Sequence, residues 1–195
     1  NLLALLPGDD PQVQHEVIVL GAHYDHVGYG SSNNSFGPIG KIHNGADDNA
    51  SGVATVLEAA QALASLDRPL RRSILFAFWD GEEKGLLGSK HWLAQPTLAP
   101  PHVVRMALNF DMVGRMRDRK VEVFGTRTAR GLRRLISHKN EDNLVVDFMW
   151  AMTSDSDHHP FFLRNIPSLM FHTGKHGDYH RPSDDVEKLN LEGMQ

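Results

Sequence analysis

The chain contains no cysteine, which excludes thiol nucleophiles, disulfide bridges and cysteine-based zinc sites. That lack leaves the redox compartment open, because a chain without thiols is compatible with any. Long hydrophobic runs are missing too: no apolar stretch approaches the ~20 residues that a bilayer-spanning helix needs. Residues 2–6 are apolar but few, and they have no basic flank, so no signal peptide is recognised. Lys and Arg never cluster beyond a few residues, and the net charge is −4. Nucleic acid and anionic membrane surfaces are therefore poor partners for this chain. Repeats, low-complexity tracts and linker-like stretches are also lacking, so 195 residues read as one domain, 1–195, with a sizeable core. The chain opens in a strand-like segment and stops at the start of a predicted helix, so a trimmed or processed piece of a longer protein is expected. What the sequence has in abundance is histidine. Twelve imidazoles without any sulfur direct attention to metal chemistry built from His and carboxylates.

Apolar periodicity predicts strands over residues 2–6, 16–22, 74–78, 103–110, 121–125, 144–148 and 168–172. The first two flank Pro7-Gly8-Asp9-Asp10-Pro11 and are expected to pair with each other. Helices are expected over 53–64, 86–93, 129–139 and from 159 to 164. The first of these buries Val53, Val56, Leu57, Ala60, Leu63 and Ala64, with residues 48–51 supplying its cap. Strands alternating with helices predict an α/β fold, a sandwich on a largely parallel sheet. Residues 27–44, rich in Gly, Ser and Asn, form a long loop of the kind that is usually functional.

Ligands and chemistry in such sheets collect at the carboxyl ends of strands. Five residues with suitable side chains fall at or just after predicted strand ends: His23, Asp48, Glu83, Asp111 and His180. Two imidazoles and three carboxylates suit zinc and, less exclusively, manganese or cobalt. Two ions roughly 3.5–4 Å apart, sharing one carboxylate, would use all five. The adjacent Glu82 and Glu83 point in different directions, so one can bind a cation while the other handles protons.

The same stretches carry a resemblance. Gly21-Ala22-His23-Tyr24-Asp25-His26, Gly45-Ala46-Asp47-Asp48-Asn49-Ala50-Ser51-Gly52, and Asp80-Gly81-Glu82-Glu83 with Gly85-Leu86-Leu87-Gly88-Ser89 are the first three. Asn109-Phe110-Asp111-Met112-Val113-Gly114 and Asp178-Tyr179-His180-Arg181-Pro182-Ser183-Asp184 follow. In this order they resemble the successive site motifs of the M28 family of zinc peptidases, across essentially the whole chain. The family includes leucyl-type aminopeptidases, glutamate carboxypeptidase II and, more distantly, glutaminyl cyclases. The resemblance implies a three-layer α/β/α sandwich with a mixed central sheet of about eight strands. It makes Asp48 the bridging carboxylate, with His23 and Asp111 on one zinc and Glu83 and His180 on the other. Asp25 matches the acid that orients the ligating imidazole of His23, Glu82 the general base, and Tyr179 a donor to the developing oxyanion. The segment Ser156-Asp157-His158-His159-Pro160-Phe161 resembles a further family segment, which makes Asp157 and His158 candidates for contact with the ligand shell or substrate. His26, His43, His172 and His176 read as bystanders or pocket lining. Asn44 stands where many relatives carry proline, a departure that bears on loop stiffness.

The implied activity is hydrolysis of N-terminal residues from peptides, through a zinc-activated water with Glu82 as base. A single-zinc acyltransferase of the glutaminyl-cyclase kind, a carboxypeptidase or dipeptidase of the same family, and a silent module that keeps the fold are the alternatives. The Gly85-Leu86-Leu87-Gly88-Ser89 continuation favours a peptidase over a cyclase, and the intact ligand set argues against a silent module. An extracytoplasmic location follows only from the resemblance.

Overall fold

A computed structural model describes all residues, 1–195. Seven strands form one mixed sheet: β1 (Leu2–Leu6), β2 (Glu16–His23), β3 (Ser73–Trp79), β4 (Val103–Phe110), β5 (Lys120–Phe124), β6 (Val145–Phe148) and β7 (Ser168–His172). Their spatial order is β1-β3-β2-β4-β7-β5-β6. The central strands β3, β2, β4 and β7 run parallel, so their carboxyl ends lie along one edge of the sheet. β1 and β5 pair antiparallel with β3 and β7.

The helices are α1 (Gly52–Ala64), α2 (Leu87–Ala94), α3 (Leu132–Lys139), α4 (His158–Leu163) and α5 (Leu191–Met194). Strand alternation divides the core into two faces. On one, Leu20, Ala22, Ile74 and Phe76 pack with Val56 of α1. On the other, Val17, Val19, Leu75, Ala77 and Trp79 pack with Trp92 of α2 and Phe161 of α4. A third cluster joins Val123, Leu132 and Leu169, and Leu108 touches both this cluster and that of α1, so α1 and α3 cover the same face. Trp79, Trp92 and Phe161 form a mutual aromatic contact with ring centroids 5.7–6.2 Å apart. Burying a side chain of this kind is worth about 1.5–3 kcal/mol.

One expectation needs correction. β1 does not pair with β2, because both edges of β2 are taken by β3 and β4. It lies instead on the free edge of β3, with Leu2 opposite Phe78 and Leu6 opposite Ile74. The turn-rich segment that follows is no hairpin: Asp9 N–H donates to the carbonyl of Leu70, and the chain passes the amino end of β3 to reach its other edge, where β2 begins opposite Ser73. At the start of α1, neither Asp48 nor Ser51 caps the helix through its side chain. Asn49 Oδ1 takes the N–H of Gly52 at 3.0 Å and that of Met112 at 3.2 Å, tying the helix to the segment after β4.

Candidate metal centre

The site stands at the carboxyl ends of the parallel strands. His23 is the last residue of β2 and is 1% exposed. Glu82 and Glu83 form a single 3-10 turn after β3, Asp111 follows β4, and Asp48 sits in the irregular turn before α1. Gly45 opens that turn at φ 62°, where a Cβ would lie 2.5 Å from the carbonyl oxygen of Asp48, so only glycine fits. The peptide bond after Asp48 is cis. His180 lies in the closing loop at φ 51°, a left-handed backbone that a residue with a Cβ adopts at a cost.

These segments bring the five side chains to one point. His23 Nε2 is 3.3 Å from Asp48 Oδ1 and 3.7 Å from Asp111 Oδ1. His180 Nε2 is 3.2 Å from both Asp48 Oδ2 and Glu83 Oε2. The two oxygens of Asp48 therefore face different imidazoles. Potential ligand atoms of His23, Asp48 and Asp111 all lie within 4.8 Å of one another, and so do those of His26, Asp48 and Glu83.

The electrostatics follow from this crowding. Burial disfavours a charged His180, yet hydrogen bonds with Asp48 and Glu83 outweigh it and push its pKa up to about 10. His23 is likewise raised against its burial by Asp111 and Asp48. Burial would lift Asp48, but His180 and His23 hold it well below the usual carboxylate range. Glu83 is lowered against its burial by His180 and His26. Glu82 behaves in the opposite way. Burial lifts it, His23 opposes only in part, and the charges of Asp111, Asp157 and Glu83 add to the rise, to about 9.

The donor set fits a divalent cation of the zinc type. It offers imidazole nitrogen and carboxylate oxygen in two groups with a common carboxylate, and its own protons stand where positive charge is stabilised. His26 adds a buried Nε2 with no hydrogen-bond partner beside the same groups.

Other candidates fall where the sequence did not put them. His23 Nδ1 is held at 3.0 Å by the backbone carbonyl of Asp25, while the Asp25 carboxylate is 3.8 Å away. That carboxylate instead accepts the N–H groups of Glu82 (2.9 Å) and Glu83 (3.2 Å) and so caps their turn. The resemblance put the carboxylate itself on His23, but β2 ends at His23 and Asp25 lies beyond the strand. Tyr179 stacks on the His180 ring with centroids 3.9 Å apart, and burial, reinforced by the charges of Asp48 and Glu83, raises its phenol.

Asp157 and His158 are 1% and 0% exposed and do not line the cavity beside the cluster. Asp157 takes a hydrogen bond from Ser89, and neither His158 nitrogen has a partner. The neighbouring Ser156 is the residue that reaches the site: its hydroxyl donates to Asp111 Oδ2 at 2.5 Å and accepts from Asn109 at 2.7 Å. His26, read as a bystander, meets Glu83 Oε1 at 2.8 Å through Nδ1. His172 does line the cavity.

That cavity, of about 320 Å³, is bordered by His23, Asp48, Glu82, Asp111, Tyr179 and His180 on one side. Phe124, Met149 and Met170 add apolar lining, and Glu122, Asp155, His172 and Lys175 border the same cavity.

With this arrangement established, comparison with known proteins places the chain. A sequence profile described as Peptidase family M28 matches residues 1–195, and the chain belongs to that family. Aminopeptidase YwaD of Bacillus subtilis is 30% identical over 192 residues, covering 92% of this chain and 38% of that protein. The chain thus spans well under half the length of this curated relative. The solved structure of BSAP, a zinc aminopeptidase from Bacillus subtilis, superposes with a TM-score of 0.76 at 26% identity over 99% of this chain and 46% of that one. A glutaminyl cyclase of Bacteroides thetaiotaomicron shares the fold at a TM-score of 0.75 and 20% identity, over 98% of this chain and 72% of that one.

Proposed function

We infer that the chain is the catalytic part of a zinc aminopeptidase that removes N-terminal residues from peptides. The observation that carries this reading is Asp48, whose two oxygens face His23 and His180 at 3.3 and 3.2 Å. His23, Asp48 and Asp111 would hold one zinc, and Asp48, Glu83 and His180 a second. Bound zinc supplies Lewis acidity, which lowers the pKa of water and polarises a carbonyl.

The chain's own groups do the rest. Glu82 lines the cavity, and the charge of a bound cation would draw its raised pKa back down, leaving a carboxylate that can take a proton from water and pass it to the leaving amine. Tyr179, whose phenol is raised and so keeps its proton, can donate to an oxygen that gains negative charge. Ser156 fixes one oxygen of Asp111 and leaves the other for the cation. Phe124, Met149 and Met170 supply apolar lining that an apolar substrate side chain can contact.

Hydrolysis of leucyl p-nitroanilide, before and after chelation and zinc restoration, tests the reading. Activity that chelation abolishes and zinc restores is the expected result. Turnover that survives full chelation would overturn the metal-dependent reading, and cyclisation of a glutaminyl peptide in place of hydrolysis would move the chain to the acyltransferases.

A further inference from the structure

The acidic pair Asp47-Asp48 contributes only one side chain to the metal cluster. Its other member, Asp47, is 0% exposed and turns away. Asp47 Oδ1 accepts from Gly114 N–H at 2.6 Å and Ser51 Oγ at 3.0 Å, while Oδ2 meets His176 Nε2 at 3.0 Å. Opposite the pair lies a second fully buried carboxylate, Asp184. Asp184 Oδ2 accepts both consecutive backbone N–H groups, of Asp47 at 2.9 Å and of Asp48 at 3.0 Å. Its other oxygen takes Arg115 Nη2 at 2.8 Å. The same guanidinium reaches Asp178 Oδ2 at 3.1 Å, so Arg115 grips the closing loop on both sides of His180.

We propose that Asp184, braced by Arg115, is a positioning residue that fixes the Asp48 carboxylate relative to His180. The physical case is one of geometry and charge. Two N–H donors on one carboxylate oxygen leave the Asp47–Asp48 backbone little freedom to rotate, and the rotation of that backbone aims the Asp48 side chain. Arg115 neutralises Asp184 and thereby lets a buried carboxylate stand beside two others. Bidentate bridging of Asp184 and Asp178 is a task for a planar guanidinium that lysine cannot reproduce.

This inference rests on the reading of Asp48 as a shared ligand. The test measures zinc affinity by competition with a chromogenic chelator, together with thermal unfolding of the chelated and the zinc-loaded protein. Asp184→Asn is expected to lose about 10–100-fold in zinc affinity, the range usual for residues that orient ligands. The rise in unfolding temperature on adding zinc should shrink with it. Parental affinity in folded Asp184→Asn, with chelated and loaded forms destabilised equally, would overturn the proposal and leave Asp184 a purely structural residue. If that variant does not fold, Arg115→Lys decides: about a tenfold loss supports the proposal, and parental affinity sinks it. Asp48→Asn separates the two readings. Unchanged zinc affinity there would remove Asp48 as a ligand, whereas loss there with none in Asp184→Asn would defeat only the positioning role.

Discussion

Two buried polar regions lie on the same sheet, and they solve the problem of burial in opposite ways. In the ligand cluster every histidine faces carboxylates, so burial is outweighed and His23 and His180 are drawn toward their charged forms. At the start of α4, His158 has no partner on either nitrogen, and burial drives its pKa down to about 4. Burial lifts its neighbour Asp157 to about 7. The residue types are the same. What differs is whether opposite charge lies within reach, and that decides which region can take a cation. In the α4 pair burial disfavours charge and both side chains pack in the core, while in the cluster opposite charges favour it.

Breaking the cluster should have the largest effect. Asp48→Ala removes the group that faces both imidazoles and is expected to abolish zinc binding and peptidase turnover together, as read by metal content and anilide hydrolysis. Next comes Glu82→Gln, which leaves the five candidate ligands in place. It should keep its zinc yet lose about 10²–10⁴-fold in turnover. Near-normal rates in that loaded variant would remove Glu82 as the base.

A third effect sharpens the contrast through protons. With its pKa at about 10, His180 carries a proton at neutral pH in the metal-free protein, so zinc must displace it. Zinc added to the chelated protein at pH 7 should therefore release acid in a pH-stat, and zinc affinity should fall as pH is lowered. The raised pKa also stabilises the metal-free fold fully below pH 6.5, a contribution lost as the pH climbs through 10.

The smallest effect belongs to α4. A depressed His158 costs stability as pH falls from 6.5 through 4, because the unfolded chain takes up a proton that the fold refuses. A raised Asp157 costs stability as pH rises from 3.8 through 7, for the converse reason. The two slopes oppose each other over a shared window. Measured against the parent, chelated Asp157→Asn should gain unfolding free energy on the order of 4 kcal/mol as the pH rises from 4 to 7, because the raised carboxyl is gone. Parallel profiles of variant and parent would mean that Asp157 does not titrate in that window.

The fold class and the placing of His23, Glu83 and Asp111 were legible because each depends on local pattern, whereas Asp48 and His180 sit in loops and were reached through the motifs around them. Apolar runs mark strands, and ligand-type residues follow where the runs stop. Illegible parts depend on what a residue meets from elsewhere. Nothing in the run 2–6 says that its partner edge is β3, since that is decided by the occupancy of β2. Asp25 sits at a position where strand alternation lapses, and so its backbone rather than its side chain serves His23. His26 and Ser156 touch Glu83 and Asp111 from 57 and 45 residues away in sequence, distances over which spacing carries no signal. In the segment 156–161 the right stretch was singled out, but the residue that reaches the site is the serine beside the chosen aspartate.

The hydrogen bonds from Asp47 and Asp48 to Asp184 close loops of 137 and 136 residues. A nascent chain emerging from the ribosome can lay down β2, β3 and β4 with His23, Glu83 and Asp111 near one another, yet it lacks the histidine and the brace that complete the cluster. The five-residue cluster therefore closes only once residues 180 and 184 have joined a sheet whose strands β2, β3 and β4 are already in place.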